Sequence, residues 1–290
     1  MLNNSDSTGE ENSSVSVSDT EETILEGAWE LEFEGKGSEL FGIFIVNFIL
    51  NLFTLGIYYP WAKAKKLRYF YSSTSINNSY FHFSGNGKEM FFGLLKALMV
   101  LFFLNFIYDT FFFGMAMDWM LLIGGMVYFL FFYLLIIIAS VGAKRYRMSR
   151  TSWRGIRFRF EGTLKETTIL IAKGWVINIL TLGLYYPYYL NHFQAYWTSR
   201  SSFGNIDFNY DGQGKDVFQI WIKGILISII TFGIYLFWLK ANLHRYFWGH
   251  TIYSDTRIVS NLYGGIWLKE SLIYILQVIF TFGFGMAWAE

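Results

Sequence analysis

The chain has 290 residues, of which 53% are hydrophobic, 21% are aromatic and only 16% are charged. A soluble domain carries roughly a quarter charged residues, so this composition excludes an ordinary soluble domain and indicates a membrane protein. The cysteine count of zero excludes disulfides and thiolate metal sites.

The first segment of the chain is acidic and polar. Residues 1–39 hold 11 of the 22 acidic residues and a single basic residue, Lys36, so the net charge of +1 hides a strong asymmetry. Residues 1–28 are predicted to form a disordered acidic tail, and residues 29–290 a repeat-built transmembrane domain. The first 39 residues contain no apolar core of a cleavable signal peptide.

Two landmarks recur about every 50 residues, which indicates internal repeats. The first is an aromatic-x-Gly-x-Gly-(Lys)-acid box, found at residues 33–39, 83–89 and 210–216 and in a degenerate form at 160–166. The second is Thr-x-Gly-(Ile/Leu)-Tyr followed by Trp or Tyr, found at residues 54–61, 181–188 and 231–238, with a worn copy at 281–288. The predicted units are approximately residues 33–82, 83–159, 160–209, 210–259 and 260–290.

Each unit contains a long apolar run. The runs are residues 40–59, 90–108, 119–141, 167–186, 217–238 and 271–288. A helix of ~20 apolar residues crosses a ~30 Å hydrocarbon core. The sequence therefore predicts an all-α polytopic membrane protein with about six transmembrane helices and short strand-like loop segments.

The basic residues orient these six predicted spans. The loops at residues 61–89, 143–166 and 240–270 hold seventeen Lys and Arg, whereas the opposite loops hold only Lys36, Arg200 and Lys215. The positive-inside rule assigns the first set to the cytoplasm. Adjacent single-span units would then be inverted repeats, an organisation common in secondary transporters. The second unit is 27 residues longer and gains a complete extra span, residues 119–141.

A competing topology follows from short alternating stretches that resemble strands. They lie at residues 29–33, 81–83, 156–160 and 206–210. If these stretches pair into one small sheet, they must lie on one side of the membrane. Each Thr-x-Gly landmark would then be the tip of a re-entrant hairpin.

Three lysines inside apolar runs are candidate pathway or anion-binding residues. Lys96, Lys173 and Lys223 occupy one repeat position, and each follows an acidic candidate partner by seven residues, which is two helical turns. The acidic partners are Glu89, Glu166 and Asp216. A charge within a span usually faces the bundle interior or a water-filled cavity. The alternative is that each lysine extends to the headgroups.

The boxes supply three further candidate anion-binding lysines, Lys88, Lys165 and Lys215. They lie just before predicted helix starts, where backbone N–H groups and the positive end of the helix dipole favour an anion such as a phosphate-bearing lipid headgroup. The alternative is a glycine turn between a strand and a span. For the Thr-x-Gly landmark we expect a structural role.

No catalytic constellation or cofactor motif occurs, so we expect no enzyme activity and no cofactor. The four histidines share no repeat position and predict no metal site. The basic stretches at residues 63–68 and 144–159 lie beside spans and are predicted to bind anionic lipid rather than nucleic acid. The many aromatic residues are compatible with a homo-oligomer.

The landmarks together resemble the YjgN family of bacterial inner-membrane proteins over residues 29–290. The residues that carry the resemblance are Phe-x-Gly-x-Gly-Lys-Glu at 83–89, Thr-x-Gly-Ile-Tyr-x-x-Trp-Ala-Lys at 54–63, Arg-Tyr at 68–69 and Thr74. The resemblance implies a multi-pass protein of the cytoplasmic membrane whose activity is not established. Our leading hypothesis is a transporter or channel for a small or anionic solute or a lipid. The rival hypothesis is a non-transporting scaffold that binds anionic lipid or partner proteins.

Overall fold

Strands and helices alternate in a fixed order in the computed structural model, which describes residues 29–113 and 118–280. The strands are β1 (Leu31–Phe33), β2 (Thr74–Ile76), β3 (Ser79–Phe83), β4 (Thr151–Trp153), β5 (Ile156–Phe160), β6 (Ser201–Phe203), β7 (Ile206–Tyr210), β8 (Thr251–Tyr253) and β9 (Thr256–Arg257). The helices are α1 (Gly37–Phe53), α2 (Tyr59–Ser72), α3 (Gly87–Tyr108), α4 (Asp118–Arg150), α5 (Leu164–Leu180), α6 (Tyr186–Ser199), α7 (Gly214–Ile230), α8 (Leu236–Gly249) and α9 (Gly264–Phe280). The predicted acidic tail and the worn landmark at residues 281–288 lie outside the described residues.

The described strands form one antiparallel sheet in chain order, from β1 to β9. The pairing of β3 with β4 sets Phe81 opposite Trp153, and the pairing of β5 with β6 sets Phe158 opposite Phe203. Each helical hairpin leaves this sheet after one strand and returns to it before the next. Both ends of every hairpin therefore lie on the same side of the molecule.

The two faces of the sheet differ in polarity because side chains alternate along a strand. Phe83 and Phe160 lie on the face toward the helices and are 1% and 2% exposed. Phe160 stacks on Trp197 of α6, with ring centroids 4.9 Å apart. The opposite face carries exposed polar residues such as Arg157 and Arg159. One face is thus packed and the other solvated, as is common in antiparallel sheets.

Three of the hairpins have matching lengths. The outgoing helices α1, α5 and α7 have 17 residues each, and the returning helices α2, α6 and α8 have 14 residues each. A 17-residue helix is about 25 Å long, shorter than the ~30 Å hydrocarbon core. Each of the three outgoing helices ends immediately before the threonine of its Thr-x-Gly landmark, and the chain then turns back.

The second unit differs because its helices are longer. Its outgoing helix α3 has 22 residues and its returning helix α4 has 33. Among the described residues, two helical segments are long and apolar enough to cross a membrane, Gly87–Phe111 and Leu122–Arg150. The 27 additional residues predicted to add a second span lie in this hairpin.

The expectation of about six spans is wrong for the described part of the chain. The apolar runs at residues 40–59, 167–186 and 217–238 each continue through a turn, so one run contains the end of an outgoing helix, the tip and the start of a returning helix. Hydropathy alone does not detect such a turn, because Thr-x-Gly interrupts the run by a single polar side chain.

Two further expectations need correction. The protein is mostly helical but not all-α, because the short alternating stretches pair into the sheet that the competing topology requires. The alternating direction of adjacent units is also wrong, since the loops carrying Lys36, Arg200 and Lys215 join the same sheet as the other basic loops.

Candidate membrane-facing site

The threonine of each Thr-x-Gly landmark closes its hairpin tip with two hydrogen bonds. At the tip of the α5–α6 hairpin, the Thr181 hydroxyl donates to the Ile177 carbonyl at 2.7 Å and accepts from the Tyr185 N–H at 3.2 Å. The Gly183 N–H donates to the Asn178 carbonyl at 2.7 Å. The tips at Thr54 and Thr231 repeat all three bonds at 2.6–3.1 Å.

These bonds leave no free backbone donor at the tip. Every backbone N–H from residue 181 to residue 186 is hydrogen-bonded within the hairpin. In water such satisfaction is unnecessary, because water would pair with any free group. In hydrocarbon each unpaired backbone group costs several kcal/mol, so irregular backbone is tolerated only when its polar groups are paired. The backbone N–H groups of the tips meet this condition.

The tips also expose apolar side chains to an unusual degree. Leu55, Leu182 and Phe232 occupy the x position of the three landmarks and are 93%, 94% and 98% exposed. Each has a left-handed backbone, with φ of 49°, 50° and 49°, a conformation that glycine and asparagine favour. Full burial of such a side chain is worth about 1.5–3 kcal/mol. Contact with an apolar environment outside the chain would therefore stabilise these residues.

The lysine midway along α5 and the one midway along α7 limit the depth to which their tips can insert. Eight residues separate Lys173 from Thr181, and eight separate Lys223 from Thr231. At a rise of 1.5 Å per residue this is about 12 Å, close to half of the ~30 Å hydrocarbon core. A lysine at headgroup level thus places its tip near the middle of the bilayer.

The structure distributes the three predicted pathway lysines over three helices. Lys96, Lys173 and Lys223 lie on α3, α5 and α7, and all three are exposed. Their predicted acidic partners engage other groups. Glu89 forms an ion pair with Arg150 at 2.6 Å, and Glu166 forms one with Arg200 at 2.7 Å. Asp216 accepts a hydrogen bond from the Tyr246 hydroxyl at 3.1 Å.

The box lysines Lys88, Lys165 and Lys215 are exposed at the second positions of α3, α5 and α7. The box glycines lie against aromatic rings. A Cβ at Gly85 would come within 2.4 Å of the Phe83 ring, and one at Gly87 within 2.4 Å of the Trp61 ring. The glycines are therefore required for close packing of the strand-to-helix connection.

The tyrosine of the Arg-Tyr motif caps a helix, a role that the sequence analysis did not assign. The Tyr69 hydroxyl accepts from the Lys36 N–H at 2.6 Å and donates to the Lys36 carbonyl at 2.8 Å, which joins the end of α2 to the start of α1. Tyr146 and Tyr246 make the same two bonds to the residues before α3 and α7, and Tyr196 donates to the Thr163 carbonyl before α5. The constant offset of 33 residues, or 60 in the longer second unit, was the available signal.

The arginine of the same motif links consecutive units. Arg68 donates to the Gly85 carbonyl at 3.2 Å, and Arg145 donates to the Gly162 carbonyl at 2.8 Å. The third unit has alanine at this position, and Asn191 makes the equivalent contact to the Gly212 carbonyl at 3.0 Å. Each of these bonds ties a returning helix to the box that begins the next unit.

Two side-chain pairs beside the strands each involve a carboxylate. Tyr80 donates to the Glu34 carboxylate at 2.6 Å, and this hydrogen bond raises the pKa of Tyr80 above its ordinary value. Arg257 donates to Asp211 and thereby holds the pKa of that carboxyl below its ordinary value. Among the described residues no group of three or more His, Cys, Asp or Glu is arranged to hold a metal ion.

Comparisons with known proteins bear on this membrane-facing arrangement. A family model described as bacterial protein of unknown function (DUF898) matches residues 28–212 and 205–260. Inner membrane protein YjgN of Escherichia coli K12, and that of strain O157:H7, are 35% identical over 133 residues, which is 46% of this chain and 31% of each relative. The Salmonella typhimurium LT2 protein of the same name is 41% identical over 70 residues, 24% of this chain and 18% of the relative. The matched stretch thus spans less than a third of these relatives, and no solved structure matches the chain.

Proposed function

Because the chain belongs to the DUF898 family of bacterial proteins of unknown function, we propose an activity from its geometry: a non-transporting scaffold anchored in the cytoplasmic leaflet by re-entrant hairpins. The matches to the YjgN proteins confirm the predicted family and the bacterial inner membrane as the location. The anchoring, the leaflet and the scaffold role are proposals.

The observation that carries the proposal is the chemistry of the three tips at Leu55, Leu182 and Phe232. Each tip combines an almost fully exposed apolar residue with a backbone whose N–H groups are paired internally. Exposed apolar surface alone would also fit a protein interface. The additional pairing of every tip N–H lowers the cost of placing this backbone in an apolar environment. Together these features favour insertion of the tips into the membrane.

The charge distribution supports the cytoplasmic side for the sheet. All basic loops join at the sheet, whereas residues 109–118, at the far end of the second hairpin, contain no Lys or Arg. By the positive-inside rule the sheet lies in the cytoplasm and residues 109–118 lie outside. The α3–α4 hairpin then crosses the membrane twice, and the other three tips stop near its middle.

The placement of the lysines favours a scaffold over a transporter. A transport route requires charged groups that converge on a shared cavity. Lys96, Lys173 and Lys223 instead lie exposed on three separate helices. Side chains of a helix lean toward its N-terminus, which here points each lysine away from the tip and toward the headgroups on the sheet side. There the lysines and the basic loops attract anionic lipid.

Nitroxide labels on single cysteines in the naturally cysteine-free chain test the anchoring. We expect labels at Leu182 and Phe232 in reconstituted protein to collide frequently with oxygen and rarely with a water-soluble nickel chelate. A label at Asn205, in the turn between β6 and β7, serves as the control and should show the reverse. Tip labels that collide with nickel as often as the Asn205 label would overturn the proposal.

Transport is tested separately with a variant in which Lys96, Lys173 and Lys223 are all leucine. A scaffold should remain folded and keep its oxygen-accessible tips after this change. If the triple variant instead loses a solute flux that liposomes containing the wild-type chain display, transport replaces the scaffold as the function.

A further inference from the structure

One arginine departs from the role that its repeat position has elsewhere. Arg68 and Arg145 donate to the carbonyl of a glycine 17 residues later, in the next box. The residue 17 positions after Arg245 is Leu262, where the box has lost its first glycine. Arg245 instead donates to the Asn242 side chain at 2.6 Å, and its guanidinium lies 4.9 Å from the Tyr263 ring centroid. Arg245 therefore contacts the next unit through the Tyr263 ring rather than through a backbone carbonyl.

Arg245 also has a buried hydrogen-bond donor. The Arg245 Nε is inaccessible to solvent and has no hydrogen-bond partner among the residues that the structure describes. A buried donor without an acceptor costs free energy, more so on a charged group. Arg245 is therefore incompletely paired within the described part of the chain.

The Arg245 side chain borders an open cleft between α7 and α8, with a volume of about 450 Å³. The residues that line it are Ile220, Lys223, Gly224, Tyr235, Asn242, Arg245 and Tyr246. Two of these carry a positive charge and none is acidic. The nearby carboxylate of Asp216 is engaged by the Tyr246 hydroxyl at 3.1 Å. The cleft therefore presents a net positive charge and further polar groups to a ligand.

The surroundings of the cleft depend on how deeply the α7–α8 hairpin inserts into the membrane. Lys223 lies about 12 Å from the tip at Thr231, which places it at the level of the headgroups if the tip inserts to the middle of the bilayer. A guanidinium and an ammonium at this level match a phosphate, whose oxygens accept several charge-assisted hydrogen bonds at once. Other headgroup components, such as glycerol or choline, do not require two cations.

We propose that the cleft between α7 and α8 binds the phosphate group of an anionic ligand through Arg245 and Lys223. The proposal rests on the anchored scaffold for the identity of the ligand, because an embedded cleft is filled by a lipid headgroup and a cleft in water by free phosphate. The third unit supplies a natural comparison. Lys173 occupies the same repeat position as Lys223, but the residue corresponding to Arg245 is Ala195.

The test measures binding to the purified full chain in a neutral detergent by native mass spectrometry. Dioctanoyl phosphatidylglycerol is titrated against the wild type and against the variants Arg245→Gln, Lys223→Gln and Lys173→Gln. Dioctanoyl phosphatidylcholine, with no net charge, is the control lipid, and inorganic phosphate is the competitor. We expect one saturable site for the anionic lipid, weakened at least about tenfold in Arg245→Gln and in Lys223→Gln. The Lys173→Gln variant should bind like the wild type.

The outcomes separate the source of the ligand from the existence of the site. Binding that resists millimolar inorganic phosphate assigns the site to a lipid headgroup, and displacement by phosphate assigns it to a free anion. Equal weakening in Lys173→Gln and Lys223→Gln would overturn the proposal, since it would indicate general electrostatic attraction. Unchanged binding in Lys223→Gln would also overturn it. That lysine is exposed, so the result does not depend on whether Arg245→Gln folds.

Failure of this site is distinguishable from failure of the anchored scaffold. The depth of the nitroxide at Leu182 is measured in the Lys223→Gln background. An oxygen-accessible tip together with unchanged lipid binding rejects only the cleft. A nickel-accessible tip rejects the anchoring, whatever the lipid titration shows.

Discussion

The second hairpin and the other three begin alike at the sheet and differ in how their outgoing helices end. In α1, α5 and α7 a threonine bonds back to the preceding turn after 17 residues, and a glycine with positive φ follows two residues later. In the second unit no Thr-x-Gly occurs at this point, and α3 continues for 22 residues. A three-residue landmark thus distinguishes the three apolar runs that turn back from the longer helix of the second unit.

The landmark reverses the chain because its threonine and glycine form and permit specific hydrogen bonds, not because it lowers the hydropathy of the run. One hydroxyl is a weak interruption of an apolar run, yet it pairs the N–H group that the turn exposes. Glycine adopts the positive φ without the steric cost that Cβ imposes. The hairpin can thus reverse inside an apolar environment, where a solvated loop would leave unpaired groups.

The largest expected effect comes from removing one tip hydroxyl. Thr181→Val leaves the Tyr185 N–H without its acceptor, and we expect the free energy of unfolding in mixed micelles to fall by about 2–3 kcal/mol. Ser199→Ala is the matched control, because Ser199 donates only to backbone carbonyls at the sheet end of α6 and its loss should cost under about 0.5 kcal/mol. Equal losses in the two variants would show that the tip does not lie in lipid.

Two glycine-to-alanine substitutions should change the stability of the two kinds of hairpin in opposite directions. Gly183 has φ of +87°, so Gly183→Ala should destabilise by about 1–2 kcal/mol. Gly142 lies within α4, and a Cβ there would meet nothing within 4 Å. Gly142→Ala should therefore stabilise by up to about 1 kcal/mol. The two changes are measured by thermal unfolding in nanodiscs, and a shift of the same sign would contradict the difference.

The link between the second and third units should contribute less. Arg145→Leu removes the hydrogen bond to the Gly162 carbonyl, and we expect a loss of about 1 kcal/mol because the arginine is partly solvated. Arg147→Leu, two residues along α4 at an exposed position, is the control. If the Arg147 variant loses as much stability, the loss reflects charge rather than the carbonyl contact.

The smallest expected effect is a pH dependence at the last box. Arg257 lowers the pKa of Asp211 in the folded protein, so this pair stabilises above the ordinary carboxyl pKa of about 3.9 and its contribution disappears as the pH falls through the lowered pKa. Both side chains are well exposed, so screening by solvent leaves the pair only a small contribution to stability. Asp211→Asn should unfold with a shallower dependence on pH below about 4 than the wild type. Identical profiles would show that the pair contributes nothing.

The sequence predicted much of the architecture but not its topology. The alternating stretches correctly indicated β1, β3, β5 and β7, and the landmarks marked the boxes and the tips. The strands β2, β4, β6, β8 and β9 were missed because they have only two or three residues each, too few to show an alternating pattern. With five of the nine described strands missing, the single sheet remained the competing topology and six crossings the leading interpretation.

The residues of the candidate site were predictable from the sequence, but the side chains that they contact were not. The shared repeat position of Lys96, Lys173 and Lys223 was visible, and all three are exposed on their helices. Their acids engage Arg150, Arg200 and Tyr246, residues more than 29 positions away along the chain. Such pairings depend on the return of each hairpin to the sheet, which spacing along one helix does not reveal. Likewise, the different pairing of Arg245 is recognised only by comparison with the hydrogen bonds of Arg68 and Arg145.

The most direct test of the re-entrant topology is labelling of single cysteines from outside intact cells, followed by labelling after permeabilisation. Cysteines replace Ser38 at the start of α1, Asn205 in the turn between β6 and β7, and Thr110 at the far end of the second hairpin. The account predicts labelling from outside at position 110 only, with positions 38 and 205 labelled after permeabilisation. Labelling from outside at 38 and 205 would contradict the single cytoplasmic sheet and restore six crossings.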